Sequence, residues 1–148
     1  MPRSRWCALA LLVLAAPLRA QAAADSAAIR AAALDYAEGW FEGNAERMAR
    51  AVSPELVKRI VVHDSTTGHD MIQGMGQGAL VNGTRRGFGK STPPARQEKD
   101  VRILDIFRGV AVARVTMTDW IDYLQLARMD GRWVIVNVLW EMKQGPAH

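Results

Sequence analysis

Apolar side chains recur at helical spacing in the first third of the chain and change to strand-like runs in the last third. Ile29, Ala33, Tyr36, Ala37, Trp40 and Phe41 alternate with Arg30, Asp35, Glu38 and Glu42, which predicts a helix over 26–42. Asp25 or Ser26 can cap its start, and Gly43-Asn44 can end it. A short helix follows over 45–52. Pro54 stands where it can open a third helix ending near Lys58. Arg59 to His63 is rich in β-branched residues and reads as a short strand. Residues 64–77 read as loop and 77–86 as a helix. Gly83, Gly87, Gly89, Pro93 and Pro94 mark a long turn region.

From Asp100 the pattern is β. Strands are expected over 101–107, 110–118, 120–128 and 133–141, joined at Arg108-Gly109, at Asp119 and at Asp130-Gly131. An Asp-Gly pair between two apolar runs signals a tight hairpin, because both central residues need positive φ. Helices followed by an antiparallel meander predict an α+β fold, not a parallel α/β sheet. The last strand is apolar on both faces. Simple alternation puts Trp133, Ile135 and Leu139 on one side and Val134, Val136, Val138 and Trp140 on the other. One face covers the helices. The other is too apolar for open water, so a homodimer through the sheet is expected.

Charge changes meaning once the N-terminus is considered. Arg3 and Arg5 precede an apolar run from Trp6 to Leu18, and Ala20-Gln21-Ala22 is a small-x-small site. That order predicts a cleavable secretory signal over residues 1–22, leaving one domain over 23–148, secreted or periplasmic. The run is shorter than the ~20 apolar residues a span needs, so no stable membrane span is expected after cleavage. The whole chain has 19 basic and 15 acidic residues, a net charge of +4. Loss of Arg3, Arg5 and Arg19 leaves 16 against 15, or +1, which gives no electrostatic case for nucleic acid. The single cysteine, Cys7, departs with the signal. The domain must therefore be held by its core without a disulfide.

Two stretches carry a family resemblance. Asp35 to Met48 (DYAEGWFEGNAERM) resembles the first helix of the nuclear transport factor 2-like superfamily. Asp119 to Trp140 (DWIDYLQLARMDGRWVIVNVLW) is similar to the end of its "putative lumazine-binding" branch. The resemblance implies a cone: N-terminal helices packed on a curved antiparallel sheet with a pocket between them, often as a dimer. Ketosteroid isomerases share that fold. Their pattern implies Tyr36 as an oxyanion-holding phenol, Asp64 as a carboxylate base and Gln125 at the position of a second donor. The chemistry would need a base near a C–H and two donors at the enolate oxygen.

Set against that catalytic trio is a plainer and preferred reading, in which Tyr36 is a core aromatic with a satisfied hydroxyl and Asp64 a turn residue. For a ligand site, Tyr36, Trp40, Tyr123 and Gln125 are expected to converge on one cavity with Asp64 at its rim. His63-Asp64 and His69-Asp70 surround one loop without enough carboxylates or any cysteine, so no metal is assigned. Gly89-Lys90-Ser91 looks like a phosphate loop, but its first glycine is out of place and no buried strand precedes it. No cofactor is implied. The main expectation is an exported protein whose pocket binds a small, partly apolar molecule. An isomerase or lyase moving a proton beside a carbonyl is the alternative, and a structural dimer module with a filled cone is the third reading.

Overall fold

The computed structural model describes residues 7–144. Arg3, Arg5 and Trp6, on which the expected signal partly rests, lie outside the described residues. The elements in chain order are α1 (Cys7–Glu42), α2 (Ala45–Ala51), β1 (Val52–Asp64), β2 (His69–Gly76), α3 (Gln77–Arg85), β3 (Lys99–Phe107), β4 (Val110–Met117), β5 (Trp120–Met129) and β6 (Arg132–Met142). Two short 3₁₀ turns, Phe88–Ser91 and Pro94–Arg96, cross the gap before β3. The six strands form one sheet in the order β2-β1-β6-β5-β4-β3. All neighbours are antiparallel except β1 and β6, which run parallel.

Helix α1 is longer than the apolar spacing predicts, because it continues back to Cys7, through most of the expected signal. No helix among the described residues is long and apolar enough to cross a membrane. From residue 20 onward, packing begins where the amphipathic pattern begins. Residues 20–24 are exposed, whereas Ile29, Ala33, Tyr36, Ala37 and Phe41 are buried against the sheet. The first anchor is Asp25. It accepts a hydrogen bond from Trp133 Nε1 at 3.1 Å and lies 3.2 Å from Arg128 Nη1, and the indole hydrogen bond holds its carboxyl below the ordinary range. The helix stops at Gly43, whose φ of 67° suits the left-handed end of a helix. Asn44 then caps α2, its Oδ1 accepting from Arg47 N at 3.0 Å.

Three expectations are corrected here. The segment after Pro54 is strand, not a third helix: Val52 to Asp64 pairs with β6 on one side and β2 on the other. Pro54 lies where the β1–β6 register shifts, between Val52 and Val57, so the ladder does not need its missing N–H. Residues 69–76 are a strand, not loop. Glycines and exposed polar residues hide β2 from a periodicity argument, but the edge position requires no buried face.

The third correction concerns β6. The β5–β6 register shifts between Gln125 and Leu126, so Val136 is the extra residue of a bulge. Trp133 and Ile135 point to the helices before it, and Val138 and Trp140 do so after it. Leu139 is turned outward and is 51% exposed. Simple alternation had placed Leu139 with Trp133. The Asp130-Gly131 hairpin forms as expected, with φ of 50° and 77°.

Candidate functional site

Strand alternation with that bulge decides what faces the cone. On β5, Asp122, Leu124 and Leu126 are buried beneath the helices, while Tyr123 and Gln125 are exposed on the opposite face. On β1, Leu56 and Lys58 point inward. Lys58 is paired with Val138 on β6, and Asp122 with Trp140. Tyr36 on α1 closes over them from the helical side.

These residues form a hydrogen-bonded cluster at the base of the cone. Lys58 Nζ donates to Tyr36 Oη at 2.7 Å and to Asp122 Oδ1. Tyr36 Oη donates to Asp122 Oδ2 at 3.1 Å, and Trp120 Nε1 donates to the same oxygen at 2.8 Å. The Asp122 carboxylate is fully buried and has three donors. Burial pushes the Tyr36 phenol well above its ordinary 10.0, and the neighbouring Asp122 charge adds to that. Burial lowers Lys58, opposed by Asp122. The ammonium also lies 4.8 Å from the Trp140 ring centroid, 5.4 Å from that of Tyr36 and 5.9 Å from that of Trp120.

A cavity of about 390 Å³ opens above this cluster. Trp40, Trp120 and Trp140 form its aromatic wall, in two edge-to-face contacts with centroids 6.2 and 6.1 Å apart. Leu80 and Ala79 of α3 and Phe88 of the following turn close one side. Met75, Met117 and Met142 complete an apolar lining, and Asp119 is the carboxylate at the exposed rim. Close approach of the turn to α1 requires glycine at position 89, where a Cβ would stand 2.3 Å from the Trp40 carbonyl oxygen.

The expected site residues divide into two groups. Tyr36 and Trp40 line the cavity. Tyr123 and Gln125 do not: they share a strand face, as expected, but it is the face away from α1. Gln125 accepts from Asn137 Nδ2 at 3.1 Å and borders a separate groove of about 300 Å³ with Val112 and Val136. The reason is visible in the pattern WIDYLQL. Leu124 and Leu126 must be buried, so Tyr123 and Gln125 must face out and Asp122 must face in. Asp64 is also outside the cavity lining. It is the last residue of β1, and the Thr66 backbone N–H and Thr67 hydroxyl bind its two oxygens at 2.8 and 2.9 Å. Those donors hold its carboxyl below the ordinary range, which weakens it as a base. The trio expected for proton transfer thus occupies three separate places. His63 Nδ1 meets Asp70 Oδ1 at 3.0 Å across the same exposed hairpin.

Helical spacing and Pro54 place Lys58 at a helix end and give it no role in a site. Asp122 carries a local signal, since its parity with Leu124 and Leu126 marks it as a buried charge.

A family model described as "Putative lumazine-binding" matches residues 24–141. No curated protein matches the chain. Solved structures do. A nuclear transport factor 2-like protein of unknown function from Shewanella baltica is 19% identical with a TM-score of 0.65, covering 83% of this chain and 97% of its own. A nuclear transport factor 2-like protein with a cystatin-like fold from Novosphingobium aromaticivorans is 16% identical, TM-score 0.63, with 90% of each chain covered. A ketosteroid isomerase-like protein from Erwinia carotovora atroseptica is 13% identical, TM-score 0.56, covering 80% of this chain and 96% of its own. At these identities the likeness is one of fold.

Proposed function

Because the chain belongs to the "putative lumazine-binding" family of nuclear transport factor 2-like domains, we propose that it is an exported protein that binds a small, flat, largely apolar molecule carrying a carbonyl or similar acceptor. The observation that carries this reading is the apolar cavity with one ammonium at its base. An ammonium has three N–H donors, and Lys58 directs two to Tyr36 and Asp122. The third is left for a ligand oxygen. Three indoles supply flat walls. The paired Asp122 cancels the charge of Lys58, so the site suits a neutral acceptor better than a strong anion. An unfilled cavity of this size also supports a binder over a filled structural cone.

The test is direct. The mature protein purified from its own host should carry a co-purifying small molecule visible by native mass spectrometry, and its release should change tryptophan fluorescence. Absence of both, together with no fluorescence response to a panel of flat aromatic carbonyl compounds, would reject the reading.

Export and dimerisation belong to the same proposal. Residues 20–24 are exposed, and from residue 20 onward Asp25 is the first to be anchored, so cleavage after Ala22 or Ala24 would keep the contacts of Asp25 with Trp133 and Arg128. N-terminal sequencing of the extracytoplasmic protein should read from Ala23 or Asp25, and Met1 there would refute it. The outer sheet face presents Tyr123, Leu139 and Val110 to solvent, which supports pairing of two sheets.

A further inference from the structure

The described chain contains four lysines, and three of them, Lys90, Lys99 and Lys143, are exposed. Lys58 alone is buried, with 7% of its side chain accessible, and it lines the aromatic cavity. Its nitrogen has a carboxylate and a phenol within hydrogen-bond reach, Asp122 Oδ1 and Tyr36 Oη. This arrangement exceeds what holding a neutral ligand requires. A nucleophile, a proton acceptor and a proton relay stand together at the floor of an apolar-lined pocket. Resting on the ligand reading above, we propose that Lys58 forms a reversible Schiff base with a small aromatic aldehyde or ketone bound between the tryptophans.

The protons balance within the cluster. The Lys58 ammonium passes one proton to Asp122 along their existing hydrogen bond. The freed nitrogen pair then forms a C–N bond as the carbonyl π pair moves onto oxygen. A second nitrogen proton moves to that oxygen through Tyr36, giving a neutral carbinolamine. Asp122 returns its proton to the hydroxyl, the C–O bond breaks and water leaves. The nitrogen pair closes the C=N bond, and one N–H and a positive charge remain beside the restored Asp122 carboxylate. No oxidant or reductant takes part. Burial weakens the hold of Lys58 on its proton, which favours the first transfer. Edge-to-face indoles then shield the iminium from water and offer it the same π faces that now surround the ammonium.

The experiment uses naphthaldehyde as the carbonyl probe and the corresponding naphthyl alcohol as a probe that cannot condense. Each is added to the mature protein, with cyanoborohydride as a trap, and adducts are located by intact and peptide mass spectrometry. Expected are tryptophan quenching by both probes and one saturable adduct per chain on Lys58 with the aldehyde only. Lys58→Arg should lose that adduct. Tyr36→Phe, which keeps the nucleophile, should slow trapping by about tenfold or more through loss of the proton relay. Quenching by both probes with no adduct, or with adducts spread over Lys90, Lys99 and Lys143, overturns the Schiff base and leaves the binder reading standing. No quenching by either probe overturns both.

Discussion

Lys58, Tyr36 and Asp122 are three polar side chains in a place where the surrounding sequence calls for apolar ones. Their stability rests on one another. Asp122→Asn would leave Lys58 buried without its counter-charge, and removing one partner of a buried pair typically costs about 3–5 kcal/mol. Replacing both, as Lys58→Met with Asp122→Leu, should restore most of that loss, and urea unfolding of the single and double variants measures the difference. Tyr36→Phe deletes two hydrogen bonds in the same cluster, one accepted from Lys58 and one donated to Asp122, and should cost about 1–3 kcal/mol near neutral pH. That gap should depend on pH. The folded protein holds the Tyr36 proton beyond pH 10.0, where an unfolded chain releases it, because burial and the facing Asp122 charge oppose the phenolate. The contribution is therefore full below about pH 10 and lost as pH rises above it. Unfolding curves of wild type and Tyr36→Phe should converge in alkali, and curves that stay parallel would contradict the assignment.

At the scale of elements, the cavity depends on one extra residue. The bulge at Val136 returns Val138 and Trp140 to the helical side after Trp133 and Ile135 have already used it. Inserting one alanine between Asn137 and Val138 should reverse the parity of the residues that follow, sending Trp140 outward and Leu139 inward. The expected result is loss of the aromatic wall and of cooperative unfolding, read by near-ultraviolet circular dichroism and a thermal melt. A variant that melted like the wild type would show that the bulge had merely absorbed the insertion. The bulge also faces the irregular stretch of β1 around Pro54, so the two strands change register together. That compensation explains how a proline-containing segment sits in the middle of the sheet.

For the whole molecule, the bulge changes the meaning of a dimer test. Simple alternation separates Trp140 from Trp133, yet both face the helices, and a charge at Trp140, which lines the cavity, would damage the core. Leu139 is the outward neighbour, paired across to Tyr123 on β5. Leu139→Asp should leave the fold and tryptophan fluorescence unchanged while converting the proposed dimer to a monomer, because it would bury an unpaired charge. Light scattering on both proteins checks this, and a wild-type monomer at micromolar concentration would remove the proposed interface.

How much of this was legible in the chain follows from the range over which each feature is determined. Local patterns sufficed for the amphipathic part of α1, the Asp130-Gly131 hairpin, the four C-terminal strands and the α+β class, because helix period, turn chemistry and strand length act over a few residues. Tyr36 and Trp40 were found for the same reason: one turn of helix puts both on the packed face. Three features required the tertiary structure. Strand β2 shows no buried face of its own and exists through its ladder to β1. The parity of β6 was set by a bulge whose position depends on its register with β5. The Lys58–Asp122 pair joins residues 64 positions apart, and each charge is tolerable inside the cone only because the other is there. Apolar periodicity says where a side chain points, whereas a buried pair is decided by which distant strand lies beside it.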